Sequence, residues 1–73
     1  MRLAKLVGAN IRRLRKERGL TQEVLAADAG MAMRHLGRIE RADISPTVDA
    51  LEKLATALNV PPSAFFRGSG PTS

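Results

Sequence analysis

The sequence contains no cysteine, and this absence limits how a chain of 73 residues can be stabilised. A protein without cysteine forms no disulfide and no thiolate metal site. A chain of this length allows one small domain, whose single core supplies little net stability. Stability must therefore come from the packing of its elements, together with any self-association. The lack of cysteine also fits a reducing cytoplasm, which is where we expect the protein to be located.

Long apolar runs are missing as well. No run approaches the ~20 residues that span a bilayer. The stretch MRLAKLVGANIRRL has no continuous apolar region like that of a secretory signal. It is arginine-rich and acid-poor, as organelle transit peptides are, but its apolar residues are needed for the core described below. We therefore expect no membrane partner and no export.

Enzyme signatures are also absent. The sequence has no glycine-rich phosphate-binding loop, no HExxH pair and no plausible Ser/His/Asp set. His35 is the only histidine, and no cysteine or paired carboxylate stands at a ligand-like spacing from it. We interpret His35 as a surface residue or a phosphate contact. The sequence predicts no catalysis, no metal site, no cofactor and no small-molecule ligand.

Positive charge is what the sequence has in excess. Lysine and arginine number 12 against 7 acids, which gives a net charge of +5 and a pI near 11.2. The first 18 residues contain a single acid, Glu17, beside the basic residues Arg2, Lys5, Arg12, Arg13, Arg15, Lys16 and Arg18. This uneven distribution of positive charge predicts a polyanionic partner.

Apolar residues recur every three or four positions, and no segment alternates as a β-strand would. The sequence therefore predicts an all-α domain over residues 1–66, with helix ends placed by capping residues and glycines. The predicted helices are a first from Leu3 to the turn at Gly19, a second from Gln22 to Gly30, a third from about Ala32 to Glu40, a fourth between Thr47 and Asn59, and a short fifth from Pro62 to Phe66. Residues 67–73 are predicted to be a disordered tail.

The apolar stripes of these helices differ in width. Those of the first and fourth helices are broad and predict the core-forming faces, which consist of Leu3, Leu6, Val7, Ile11, Leu14, Val48, Leu51, Leu54, Ala55 and Leu58. The third helix has only a thin stripe, formed by Met31, Leu36 and Ile39. Its opposite face is therefore available for another role.

The second and third helices satisfy a helix-turn-helix pattern. Ala26 is small where the two helices would cross, and Gly30 supplies the tight turn between them. In such a pair the second helix faces outward and enters the major groove of DNA. The residues predicted to bury the pair against the other helices are Leu25, Ala29, Met31, Leu36 and Ile39.

The stretches IRRLRKERGLTQEVLAADAG, RIER and SPTVDALEKLATALNVPPSAFF resemble the Cro/C1-type (XRE) helix-turn-helix domain. The resemblance covers about residues 5–66 and is most specific in TQEVLA and SPTVDALEKLATAL. It implies a compact five-helix, lambda-repressor-like fold and a transcriptional regulator that binds operator DNA. A domain of this size resembles small phage-type repressors, restriction-modification controller proteins and some antitoxins.

The resemblance also implies roles for individual residues. Gln22, at the start of the second helix, is expected to hold a DNA phosphate. Arg15 is expected to form an ion pair with Glu40 and so tie the first helix to the third. The positions that read bases in this family correspond here to Ala32, Met33, Arg34 and Arg38.

The chemistry of arginine supports two of these base contacts. Arg34 and Arg38 are one helical turn apart, and a guanidinium group matches the paired acceptors of guanine, a contact that discriminates by about 1–3 kcal/mol. Met33 either touches a thymine methyl group or is ordinary exposed apolar surface. The candidates for contact with the phosphate backbone, each of which could instead be a solvated charge, are His35, Arg41, Arg12, Arg13 and Lys16.

Three residues depart from the family's pattern. Ala32 stands where serine or threonine usually caps the third helix, at a cost of roughly 1 kcal/mol. Gly37, inside that helix, costs ~1 kcal/mol relative to alanine and either permits close approach to DNA or softens the helix. Ala42 stands where a glycine usually turns the chain. These departures affect docking on DNA rather than the fold.

One subunit makes too few base contacts for useful specificity, so we expect a homodimer bound to an inverted-repeat operator. Phe65 and Phe66 are the candidates for the dimer interface. Both cannot easily be buried in so small a core, so one is expected to pack against the fourth helix, and the other either joins the dimer interface or caps the core alone. The alternatives are an antitoxin or adaptor module that acts through protein–protein contacts, and binding of nucleic acid by charge alone.

Overall fold

The computed structural model describes residues 2–68, with only the backbone for Arg2. Within this range the chain forms four α-helices and a final 3-10 helix, and no strand. The elements are α1 (Arg2–Glu17), α2 (Gln22–Ala29), α3 (Met33–Glu40), α4 (Val48–Leu58) and the C-terminal 3-10 helix (Pro62–Phe66). The predicted all-α class is confirmed. The fifth helix is a short 3-10 segment, and residues 69–73 of the predicted tail lie outside the described range.

Local chemistry explains where the helices begin and end. The side chains of Thr21 and Thr47 accept hydrogen bonds from the amides of Val24 and Ala50 and so cap α2 and α4. Asn59 ends α4 in the left-handed conformation, with φ of 58°. These caps give α2 and α4 defined ends.

The core is built from every element. The largest fully buried side chains are Ile11, Leu25, Leu36, Ile39, Leu54, Leu58 and Phe65. Two residues of the predicted core faces are exposed, because helical periodicity identifies the side of a helix and not the point at which it enters the core. Leu3, in the first turn of α1, is 48% exposed, and Val48, the first residue of α4, is 76% exposed. No helix within residues 2–68 is long and apolar enough to cross a membrane.

Two polar or small residues of α1 fix its neighbours, and the sequence did not identify either role. Asn10 is buried, and its side-chain amide donates hydrogen bonds to the carbonyl oxygens of Phe65 and Arg67, which anchors the C-terminal 3-10 helix. Gly8 lies against the last turn of α3. A Cβ atom at Gly8 would be 2.8 Å from the carbonyl oxygen of Glu40 and closer still to that of Ile39.

The turn after α3 contains a strained residue. Ala42 has φ of 62°, a left-handed conformation that costs an L-residue roughly 1–2 kcal/mol. The amide of Asp43 donates to the carbonyl oxygen of Arg38 over 2.9 Å, which closes the end of the helix. Ala42 therefore forms this turn in a backbone conformation that glycine usually adopts.

We expect Gly8→Ala to destabilise the protein by roughly 1–3 kcal/mol, because the new methyl group would collide with backbone carbonyls that cannot move without displacing α3. Gly37→Ala is the matched control, since its Cβ would approach side-chain atoms rather than backbone, Arg41 Nη1 at 3.2 Å and the Gln22 amide at 3.7 Å, and the helix would gain up to ~1 kcal/mol of propensity. Thermal unfolding followed by circular dichroism measures both. A Gly8→Ala protein that melts at or above the wild-type temperature would contradict the close approach.

Candidate nucleic-acid interface

The turn between α2 and α3 presents α3 at the surface. Gly30 adopts φ of 69°, a conformation that favours glycine, and the amide of Met31 donates to the carbonyl oxygen of Ala26 over 2.9 Å. Ala26 is buried at this crossing. On α3 itself, Leu36 and Ile39 are fully buried. The helix is thereby held by one side only.

The four residues predicted to read bases lie at the N-cap of α3 and along that helix. All of them are exposed, and Ala32 forms the N-cap without a side-chain hydrogen bond. Arg34 and Arg38 are one turn apart on α3, and neither forms an ion pair with a residue of the described range. Their guanidinium groups therefore remain available to an external acceptor.

The candidates for phosphate contact fall into two groups on α1. Arg12 lies one turn from both Gly8 and Arg15, the α1 residues that contact the end of α3, so it flanks that helix. Arg13 lies instead on the face of Asn10 and pairs with Glu17 at 3.0 Å. The other exposed candidates, besides Arg13, are Arg12, Lys16, His35 and Arg41.

A buried ion pair joins α1 to α3. Arg15 Nε lies 2.7 Å from Glu40 Oε2, and the exposed fractions of the two side chains are 10% and 2%. Arg15 Nη2 donates to the second carboxylate oxygen over 3.1 Å, and Nη1 donates to the carbonyl oxygen of Leu20 over 2.8 Å. Gln22 Nε2 also donates to Glu40, over 3.0 Å. The pair implied by the resemblance is thus present and extends to the first residue of α2.

Comparison with known proteins identifies the family of this domain. Residues 11–65, more than half of the chain, match the helix-turn-helix family HTH_3. The chain belongs to the helix-turn-helix family of transcriptional regulators. These are DNA-binding proteins without enzymatic activity, in agreement with the missing enzyme signatures.

Curated relatives of this helix-turn-helix domain are regulators by name. It is 48% identical over 60 residues to the uncharacterized HTH-type transcriptional regulator y4dJ of Sinorhizobium fredii, covering 82% of this chain and 78% of y4dJ. It is 44% identical over 64 residues to the HTH-type transcriptional regulator SutR of Escherichia coli, covering 88% of this chain and 36% of SutR. The matched region therefore corresponds to about four fifths of y4dJ and to about a third of SutR.

Solved structures share the fold. The restriction-modification controller protein C.AhdI from Aeromonas hydrophila superposes with a TM-score of 0.84 at 35% identity, covering 86% of this chain and 96% of C.AhdI. An HTH_3 family transcriptional regulator from Vibrio cholerae gives 0.84 at 38% identity, covering 88% of this chain and 36% of that protein. The lambda-repressor-like architecture implied by the sequence resemblance is confirmed at the level of the fold.

The role of Gly37 in this helix-turn-helix domain was left open by the sequence. Gly37 is buried even though it lies on the exposed helix α3. The atoms that bury it include the side-chain amide of Gln22 and the guanidinium group of Arg41. The signal in the sequence was the glycine itself, an unfavourable residue inside a helix, but its neighbours come from another helix and from the following turn.

We expect Arg15→Ala to lower the free energy of unfolding by about 3 kcal/mol or more, because it leaves the buried Glu40 carboxylate without its charged partner. Arg13→Ala is the matched control, since it breaks the Arg13–Glu17 pair, whose side chains are 49% and 57% exposed. Its expected cost is below about 1 kcal/mol. Urea unfolding of both variants measures the difference, and equal losses would argue against a structural role for the buried pair.

Proposed function

We propose that this helix-turn-helix domain is a sequence-specific transcriptional regulator that places α3 in the major groove of its operator. The observation that carries the proposal is the division of α3 into two faces. Leu36 and Ile39 are fully buried, whereas Arg34 and Arg38 are exposed and unpaired within the described residues. Placing two unpaired arginines one turn apart serves recognition of guanine acceptors rather than stability.

Around the reading face of α3, formed by Arg34 and Arg38, the basic residues would fix the orientation of the domain on DNA. Arg12 and Lys16 on α1, His35 on α3 and Arg41 after it are exposed. Contacts from such residues to phosphates position a protein and add affinity that falls with salt, without reading sequence. The Arg13–Glu17 pair makes Arg13 the weakest candidate of the predicted set.

The proposed regulator acts as a homodimer on an inverted repeat. One α3 offers few base contacts, and a two-fold dimer doubles them at half-sites about 34 Å apart or a multiple of that distance. An apolar surface groove supports self-association, and it is lined by Leu3, Ala4, Val7, Ser45, Pro46, Leu51 and Phe66. Phe65 is fully buried and has no surface to offer a partner, so of the two predicted interface residues only Phe66, 43% exposed, remains.

The same groove supports a second candidate function, that of an antitoxin or adaptor whose main partner is another protein. An exposed apolar groove suits either a second copy of this chain or a different partner. The two functions differ in what the reading face does. A domain that acts only through the groove shows no sequence preference on DNA. A domain that binds nucleic acid by charge alone also shows none.

Selection from a random duplex library at about physiological salt tests the proposed function, and we expect an inverted repeat to be recovered.

On the recovered operator, Arg34→Ala should lose roughly 1–3 kcal/mol of preference over unrelated DNA while retaining weak general binding. Gln22→Ala, placed at a phosphate, should weaken binding to every duplex alike. Equal loss on all DNA for Arg34→Ala would count against its role in reading bases.

We expect Phe66→Glu to convert the dimer into a monomer, because a carboxylate cannot be buried in an apolar interface without a partner. Val24→Glu on α2 is the matched control, since Val24 is 44% exposed and lies outside the groove. Sedimentation equilibrium gives the molecular mass of each variant. A Phe66→Glu protein that remains dimeric would place the interface elsewhere.

A further inference from the structure

The amide of Gln22 is held in one orientation by Glu40. Its nitrogen donates a hydrogen bond of 3.0 Å to Glu40 Oε1. A glutamine amide carries two N–H groups and one oxygen, so a carboxylate beside it selects the orientation in which the nitrogen faces the acid. This bond uses one N–H group of the Gln22 amide and leaves the second N–H group for another acceptor.

Arg15 makes the Glu40 carboxylate compatible with a nearby anion. A bare carboxylate close to a DNA phosphate would repel it. Here Arg15 donates to both carboxylate oxygens, at 2.7 Å and 3.1 Å, and the pair is buried. Glu40 can therefore orient Gln22 with its own charge offset by the guanidinium group.

Gly37 brings a second donor to the same place. A Cβ atom at Gly37 would lie 3.7 Å from both the nitrogen and the oxygen of the Gln22 amide, and 3.2 Å from Arg41 Nη1. The two side chains therefore converge over one turn of α3, where the missing side chain leaves room. Arg41 is itself held by a hydrogen bond of 3.1 Å from Nε to Asp43 Oδ2, which leaves both of its terminal nitrogens outside that bond.

We propose that Glu40 and Gly37 are positioning residues that hold Gln22 and Arg41 together as one paired contact to a DNA phosphate. Glu40 orients the Gln22 amide, and Gly37 supplies the space in which Gln22 and Arg41 meet. Phosphate oxygens accept several donors at once, and contacts to a charged acceptor are the strong ones. The glycine inside α3 is then a requirement of this contact rather than a weakness of the helix. The inference rests on the proposed binding of DNA.

The first experiment asks whether removing an acidic residue raises or lowers the affinity for DNA. Removing an acid from a protein that binds a polyanion ordinarily leaves binding unchanged or tightens it. We expect this for Glu17→Gln, a matched control on the exposed Arg13–Glu17 pair. For Glu40→Gln we expect the opposite, a loss of about fivefold in affinity for operator and unrelated duplexes alike, measured by fluorescence anisotropy. Binding by Glu40→Gln as tight as that of the control would overturn the proposal.

A double-mutant cycle separates positioning from a general structural effect. In a Gln22→Ala background, Glu40→Gln should change affinity by less than about twofold, because the side chain that Glu40 orients is gone. A loss that persists in full would mean that Glu40 acts by holding α3 in place, and would overturn its role in orienting Gln22. Circular dichroism checks that every variant is folded at the temperature of the assay.

Substitutions at Gly37 keep the proposal testable if Glu40→Gln does not fold. Alanine and leucine both favour helix over glycine, but only leucine fills the space between Gln22 and Arg41. We expect Gly37→Leu to weaken binding to all duplexes by about tenfold and Gly37→Ala by about threefold, because the methyl group of alanine would crowd only Arg41 Nη1, at 3.2 Å. The effect of leucine should vanish when Gln22 and Arg41 are both alanine. If it persists there, leucine blocks DNA directly and the pairing is wrong.

The outcome for the wild-type protein distinguishes this inference from the proposed function. A protein that binds duplexes without sequence preference contradicts sequence-specific regulation, but its phosphate contacts act on every sequence and the variants still report on them. A protein that selects an operator while its Glu40 and Gly37 variants bind as the wild type supports the proposed function and overturns the paired contact.

Discussion

The buried ion pair between Arg15 and Glu40 is the interaction on which the rest of this structure depends. It connects the end of α1 to the end of α3, and through the Leu20 carbonyl and the Gln22 amide it reaches the start of α2. Helices α2 and α3 have 8 residues each, too few to be stable alone in water. Their geometry is therefore set by neighbours, and the polar cluster of Arg15, Glu40 and Gln22 touches all three helices.

The support of α3 is unequal along its length. At its C-terminal end, Gly8 lets the backbone of α1 approach the last carbonyl groups, and Glu40 is held by Arg15. At its N-terminal end, Ala32 supplies no side-chain cap. The first amides of α3 are left to solvent or to a phosphate, on the end that carries Met33 and Arg34. The anchored end and the proposed reading end are thus different ends of one short helix.

Much of the fold could be predicted because its signals are local. Thr21, Gly30, Thr47 and Asn59 act on the backbone within a few residues of themselves, and each helix end falls close to where they place it. The limits of the core could not be predicted as well from the sequence. Leu3 has the spacing of a buried residue but faces a groove, because spacing along one helix carries no information about where the neighbouring elements stop.

The sequence by itself determined the family, the all-α class, the helix ends and the outward position of Arg34 and Arg38, since these follow from short motifs and from the period of one helix. Only the tertiary structure decided that Phe65 is in the core and Phe66 outside, that Asn10 anchors the C-terminal 3-10 helix, and that Gln22 meets Glu40 over Gly37. Each of these depends on distances between residues on different helices. Such distances are set by how the helices pack, and no local pattern in the chain encodes them.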